Sequence, residues 1–228
     1  MTVWINSEQI TRDVVVVGAS AGGFQAVIEL LSRLPAELAA FIGVVIHRGA
    51  ASPSNWSGSL GRKTQLTVVE PEDGDALQRG VVYVAPGDCH MRFESGLVTL
   101  DAEPKEHHTR PAVDPLFSSA ALAYGPRVVG IVLSGGGHDG MLGLLDITTA
   151  GGLSLAQKLS EAEHDSMPAF AIAHDHVRAA LTIDELGKAI VLLVRGEAVA
   201  VSDAEATSSA KNGPGAKPLE SVMLPAVT

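Results

Sequence analysis

A hydroxyl, an imidazole and a carboxylate each follow directly on a buried, β-branched run of this chain. Gly18-Ala19-Ser20-Ala21-Gly22 comes straight after Val14–Val17 and reads G-x-S-x-G between an apolar run and an amphipathic stretch. In that context a sharp strand-to-helix turn lifts a serine hydroxyl above a sheet edge, and small neighbours admit a substrate. His47 ends the run Phe41–Ile46 in the same way, and Asp139 follows Val128–Leu133 through a serine, three glycines and His138. In a parallel sheet the carboxyl ends of all strands share one edge, where ligands bind. Serine as nucleophile, histidine as general base and aspartate to orient the imidazole are the set that acyl hydrolysis needs. Backbone N–H groups at the start of the helix after Ser20 add donors for an oxyanion.

Each residue also has a plainer reading. A glycine-rich turn after a first strand can be only a turn or can hold phosphate, although Ser20 at the second glycine position breaks the dinucleotide pattern. A histidine at a strand end is commonly a hydrogen-bonded loop residue, Asp139 could cap the next helix, and His138 could replace His47 as base. Three strands delivering three complementary groups to one edge favour the triad over three coincidences. The other histidines carry less. His107-His108 in a charged loop and His174-x-His176 near a helix end lack a third ligand at zinc spacing, so they read as surface residues and no metal is expected. Cys89-His90 lies in a hairpin loop without an elbow and reads as a bystander. Arg62-Lys63 and Arg110 read as solvated charges, with an acidic partner as the alternative.

The elements that must hold these residues alternate. Strands are predicted at Val14–Val17, Phe41–Ile46, Leu66–Val69, Val128–Leu133 and Leu153–Leu155. Helices are predicted from Phe24 to Leu34, at Met141–Thr149, over Pro168–Ala180 and over Ile183–Val194. A helix through Tyr124 opens at Asp114-Pro115, with Asp114 as N-cap and Pro115 at the first helical position. Residues 51–63 read as loop and poor helix. Val81–Ala85, Met91–Glu94 and Leu97–Leu100 have hairpin chemistry and predict an antiparallel patch. The expected fold is α/β: a doubly wound, mainly parallel, Rossmann-like sheet with a small antiparallel hairpin patch. Residues 1–13 read as an arm, 14–197 as one catalytic domain, and 198–228 as a disordered tail rich in Ser, Ala, Gly and Pro.

Composition agrees with one aliphatic core. Of 228 residues, 46% are hydrophobic and only 4% aromatic, so the buried surface must come from valine, leucine, isoleucine and alanine. With 16 basic against 26 acidic residues the net charge is −10, which disfavours nucleic acid as a partner. The single cysteine rules out an internal disulfide and suits a reducing compartment. The start of the chain carries no basic-then-apolar leader and no long apolar run, so a cytoplasmic location without membrane insertion is expected.

In order along residues 13–195, the stretches VVVVGASAGGFQAV, VVIHRG, DGDALQRGVVYVAPGDCHM, RPAVDPLFSSAA, GIVLSGGGHDGMLG, GGLSLAQ and SMPAFAI resemble the catalytic domain of the chemotaxis-type protein-glutamate methylesterases, the CheB family. The resemblance implies a Ser20–His47–Asp139 triad and hydrolysis of glutamyl methyl esters on a methylated receptor or similar signalling protein. It also implies glutamine deamidation in some members, and no cofactor. The oxyanion donors fall on the backbone near Ala21 and Gly136. Three departures stand out: Ala21 where the family often has Thr, Gly136 where it usually has Met, and Arg48-Gly49 where a hydrophobic residue and Pro are usual. They keep two alternatives open, a non-catalytic signalling module on the same fold and a small-molecule carboxylesterase. Only 13 residues precede the first strand, against roughly 100 in an ordinary domain, so the expectation is a catalytic domain without a receiver domain, regulated if at all by a separate one. The resemblance also implies an acidic receptor segment, so either a local basic patch of Arg48, Arg62, Lys63 and Arg110 offsets the overall charge or the substrate is not the expected receptor.

Overall fold

The computed structural model describes residues 2–48, 56–174 and 177–202. Seven parallel strands form the central sheet: β2 (Val14–Ala19), β3 (Phe41–Ile46), β4 (Thr67–Val69), β5 (Val81–Val84), β8 (Val128–Val132), β9 (Leu153–Gln157) and β10 (Ala179–Leu181), in the order β10-β9-β8-β2-β3-β5-β4. β2, β8 and β9 are buried at every residue, which explains why they read as unbroken apolar runs instead of alternating ones. On one face pack α1 (Gly23–Ser32), α2 (Trp56–Gly61) and α6 (Ile183–Val194). On the other lie α3 (Val113–Tyr124), α4 (Met141–Thr149) and α5 (Ser166–His174). A separate antiparallel hairpin, β6 (His90–Glu94) with β7 (Leu97–Asp101), closes over α3 through Met91 and Phe93.

The chain winds away from β2 in both directions. β3 pairs with β2 on one side, and β8 pairs with it on the other. The strand order therefore reverses beside β2, and a crevice opens there at the carboxyl edge. Ser20, His47 and Asp139 follow the three strands that flank that reversal.

Several expectations need correcting. Val81–Val84 belongs to the parallel sheet beside β3, not to the hairpin, because β3 and β4 pair with its two edges while its side chains pack alternately into the core layers on the two faces. The helix over Pro168–Ala180 ends at His174, and Ala179–Leu181 is the edge strand β10, paired with β9. α3 begins at Val113 with Ala112 as N-cap, so Asp114 and Pro115 lie inside the first turn. The amino-terminal arm and the start of the tail form a ribbon. β1 (Thr2–Ile5) pairs antiparallel with β11 (Val199–Ser202), and Ile5, Val199 and Val201 close one end of the core. Arg12 anchors that ribbon, donating to Asn6 and to the carbonyls of Pro126 and Gly151. Residues 203–228, where the disordered tail is expected, lie outside the described residues, as do 49–55. Among the described residues no helix is long and apolar enough to cross a membrane.

α3 and α4 pack so closely that Gly143 leaves no space. A Cβ there would sit 2.3 Å from Cβ of Phe117 and 3.3 Å from the carbonyl of Asp114. Gly143→Ala is therefore expected to destabilise the fold by about 1–3 kcal/mol through overpacking, despite alanine's better helix propensity, read as a lower urea midpoint.

Candidate active site

The turn after β2 is built to present Ser20. Its N–H donates to the carbonyl of Ser134 in the loop after β8, and its carbonyl accepts from Gly23 at the start of α1. The left-handed residue of the turn is Gly22, the N-cap of α1, with φ 70°. Ser20 itself carries no positive φ, so the strained serine of a true nucleophile elbow is absent and the glycine two residues on takes the strain. A Cβ at Gly22 would also lie 2.8 Å from Oγ of Ser134, whose hydroxyl donates to the carbonyl of Ala21. The two loops are thus tied directly to each other.

His47 continues the β2–β3 ladder by one more bond, from its N–H to the carbonyl of Ala19. Its side chain bridges the crevice: Nδ1 lies 3.1 Å from Oγ of Ser20, and Nε2 lies 2.6 Å from Oδ2 of Asp139. A proton on Nε2 donated to Asp139 leaves the Nδ1 lone pair facing the serine, which is the tautomer a general base needs. The structure therefore brings Ser20, His47 and Asp139 into one hydrogen-bonded chain. His138 turns away from it. Its ring packs against His107 at 4.9 Å and Phe170 at 5.5 Å on the exposed side, so His47 alone faces the serine.

Asp139 does not cap its own helix, whose N-cap is Gly140 with no side-chain bond. It caps α3 from across the sheet edge. Oδ2 accepts from the N–H of Val113 at 2.7 Å, and Oδ1 accepts from the N–H of Asp114 at 3.1 Å. Asp114 returns the service, its Oδ1 accepting from the N–H of Gly143 in the first turn of α4 at 2.8 Å. Two buried carboxylates in one region are driven apart in acidity. Burial pushes the Asp139 carboxyl up, but His47 and the two backbone N–H groups together outweigh it and hold the group below the usual range. Burial, reinforced by the charge of Asp139, raises Asp114 despite its bonds to Gly143 and His107.

His107 is at the surface, as its loop suggests, yet its ring also reaches the two carboxylates. Its Nε2 lies 2.9 Å from Oδ2 of Asp114 and 3.9 Å from Oδ1 of Asp139. Ligand atoms of His107, Asp114 and Asp139 fall within 4.8 Å of one another, a spacing that could suit a cation. Every oxygen of the two carboxylates already accepts a hydrogen bond from His47, His107 or a backbone N–H, so a metal there would have to displace the caps of α3 and α4. Nothing in the sequence spacing flags this second histidine, because only the folded loop returns it to the crevice. His90, by contrast, is buried and satisfied, against the carbonyl of Pro104 and the N–H of Ala112. Cys89 is half-buried. His176 and Gly49 lie outside the described residues.

The N–H groups of Ala21 and Gly136 donate to no partner among the described residues. Gly135, between Gly136 and Ser134, is pinned by a bond from its N–H to the carbonyl of His164, and its Cβ position lies 2.9 Å from Cβ of Ser20. The glycine loop therefore runs directly beside the serine. Of the expected basic patch, Arg48 and Arg110 lie near His47, whereas Arg62 reaches Ser59 in α2.

The CheB methylesterase family model matches residues 15–190. The chain belongs to that family. It is 38% identical over 183 residues to protein-glutamate methylesterase/protein-glutamine glutaminase 2 of Anaeromyxobacter dehalogenans, covering 80% of this chain and 54% of that one. Its counterpart in Methanosarcina mazei is 35% identical over 192 residues, covering 81% of this chain and 52% of that one. The chain thus spans about half the length of the curated relatives it matches. Among solved structures, the CheB methylesterase catalytic domain of Thermotoga maritima superposes with a TM-score of 0.76 at 30% identity, covering 81% of this chain and 100% of that one. In this CheB-family fold the three hydrogen-bonded residues occupy the switch-point crevice.

The sign of the Asp139 shift gives a test. A carboxyl held below its unfolded value, near 3.9, stabilises the fold fully above that pH and loses the effect as the pH falls through the lower folded value. Asp139→Asn is therefore expected to cost about 1–3 kcal/mol at neutral pH, as for a buried capping acceptor, with the gap to the parent narrowing below about pH 4. Urea unfolding of both proteins from pH 7 to pH 3 measures it.

Proposed function

We propose that this chain is a serine esterase that removes methyl esters from glutamate side chains of a receptor or similar signalling protein. The observation that carries the proposal is the unbroken Ser20–His47–Asp139 hydrogen-bond chain at the sheet edge of a CheB-family chain. Ser20 Oγ attacks the ester carbonyl while Nδ1 of His47 takes its proton. The imidazolium then protonates the departing methoxide, and methanol leaves a glutamyl ester on Ser20. Water, deprotonated by His47, resolves that intermediate to a carboxylate and free serine. Asp139, ionised and fixed by α3, holds the ring and stabilises its cation. The N–H groups of Ala21 and Gly136 are the oxyanion donors in this scheme, and no cofactor is called for.

Glutamine deamidation is the same acyl transfer with ammonia leaving. The relatives' name, protein-glutamate methylesterase/protein-glutamine glutaminase, covers both reactions. A cytoplasmic setting and regulation by a separate receiver domain belong to the same proposal. Adding a phosphorylated receiver protein would then change kcat/KM severalfold.

Methanol release from a methylated receptor, with a fluorophosphonate serine probe in parallel, tests the activity. Ser20→Ala is expected to abolish labelling and to lower turnover by about 10⁴-fold or more, as removal of such nucleophiles does elsewhere. Equal labelling of parent and variant, or a folded parent that hydrolyses no ester, would leave the non-catalytic module as the reading. Gly136→Pro deletes one N–H and is expected to cost about 10²–10³ in kcat, whereas Gly136→Ala keeps the donor. Nothing lies within 4 Å of a Cβ there, so the alanine variant is the control for space.

A further inference from the structure

Gly22, the left-handed residue of the serine turn, faces the side chain of Glu163. A Cβ at Gly22 would lie 2.9 Å from Oε2 and 3.0 Å from Cβ of that glutamate. The residue before Gly22 is Ala21, which is exposed and whose N–H donates to no partner among the described residues. A carboxylate therefore stands one residue from an oxyanion donor and two from the nucleophile. The stretch that carries it is fastened to the active-site loops. The N–H of His164 donates to Oγ of Ser134 at 3.0 Å, and the His164 carbonyl accepts from Gly135 at 2.9 Å. Ser134 in turn accepts from the N–H of Ser20 and donates to the carbonyl of Ala21.

The backbone beside Glu163 is held, but its charge is not spent. The side chain is 70% exposed, and among the described residues its ion-pair neighbour is the adjacent His164 ring at 3.8 Å. An exposed pair at that distance contributes little to stability. The field of the carboxylate therefore falls on the serine turn and the start of α1. Those groups pose a problem for turnover. Donors and a helix N-terminus arranged for an oxyanion also attract an ordinary carboxylate. Hydrolysis consumes a neutral ester and water and yields a carboxylate, methanol and a proton, so the product side chain carries a charge that the substrate lacked. The transition state gains no net charge, because the imidazolium of His47 forms together with the oxyanion. A fixed anion beside the donors repels the product more than it opposes either of the other two states.

We propose that Glu163 is a specificity-determining residue that disfavours the free glutamate carboxylate against the neutral ester or amide at the serine, and so promotes release of product. The inference rests on the esterase reading above for its role in turnover, though not for its measurement in binding.

Two peptides identical except for Gln or Glu at the reacting position test it. They are bound to Ser20→Ala, so that neither is turned over, and read by fluorescence anisotropy. Adding Glu163→Gln is expected to improve the Glu peptide relative to the Gln peptide by about threefold, the scale of two unit charges several ångströms apart near water. Glu163→Lys doubles the change in charge and is expected to give about tenfold. Both gains shrink at about 1 M salt, where the Debye length is about 3 Å. Glu29→Gln makes the same change of charge further along α1 and is expected to leave the ratio alone. In the enzyme with Ser20 intact, Glu163→Gln is expected to lower the Ki of the Glu peptide about threefold without moving KM for the ester. A binding ratio that responds while no ester is hydrolysed supports the proposal, and only the esterase reading falls. A ratio unmoved by both Glu163 variants, an equal response to Glu29→Gln, or failure of both peptides to bind overturns it.

Discussion

The crevice depends on where one buried carboxylate finds its hydrogen bonds. Asp139 comes from the loop after β8, yet its oxygens are satisfied by the first N–H groups of α3 and by His47. Burying an ionised carboxylate is costly unless donors replace its water, and three donors from two other elements do so here. The requirement fixes the loop, the helix and the imidazole relative to one another. It also fixes the state of the acid. A carboxylate held charged by backbone donors at a helix N-terminus can stabilise an imidazolium without first losing a proton to solvent.

The reciprocal contact from Asp114 to α4 makes this a closed device. α3 is capped by Asp139, just ahead of the N-cap of α4, and α4 receives a bond from Asp114 within α3. Gly143 lets the two helices approach closely enough for both caps to form. His107 then closes the outer side of the pair of carboxylates, with the His138 ring edge-on to it and Phe170 beyond. The same small-residue packing that looks like ordinary core economy in α4 is what sets the position of the acid. Stability and site geometry are therefore coupled at this corner of the fold.

Charge and site are arranged in opposition. The chain as a whole is acidic, while the cleft beside His47 is lined by Arg48, Lys105 and Arg110 against Asp88, and Arg48 lies buried over Trp56 and paired with Glu70.

Much of this was legible in the residues alone, for definable reasons. Strands buried on both faces must be apolar throughout, so Val14–Val17, Phe41–Ile46 and Val128–Leu133 announce themselves, and the residues that follow them must emerge at one edge. Ser20, His47 and Asp139 could be named on that basis because their relation is topological. The errors fell where pairing partners are distant in sequence. Val81–Val84 looks like half of a hairpin until β3 and β4 flank it, Ala179–Leu181 looks like a helix end until β9 pairs with it, and Thr2–Ile5 is an arm until Val199–Ser202 lies beside it. Asp114 was misread for the same reason, since a good local N-cap residue is also a good cap for a helix elsewhere. Sequence by itself determined the fold class and the three residues at the sheet edge, because strand burial and chain order are local and cumulative properties, and its ordered motif stretches carried the family resemblance. Tertiary structure alone decided which nitrogen of His47 faces the serine, that Asp139 caps α3, that His107 returns to the carboxylates, and that Arg48 underlies a cleft. Those contacts join side chains from separate loops, whose meeting depends on packing that no short stretch of sequence encodes.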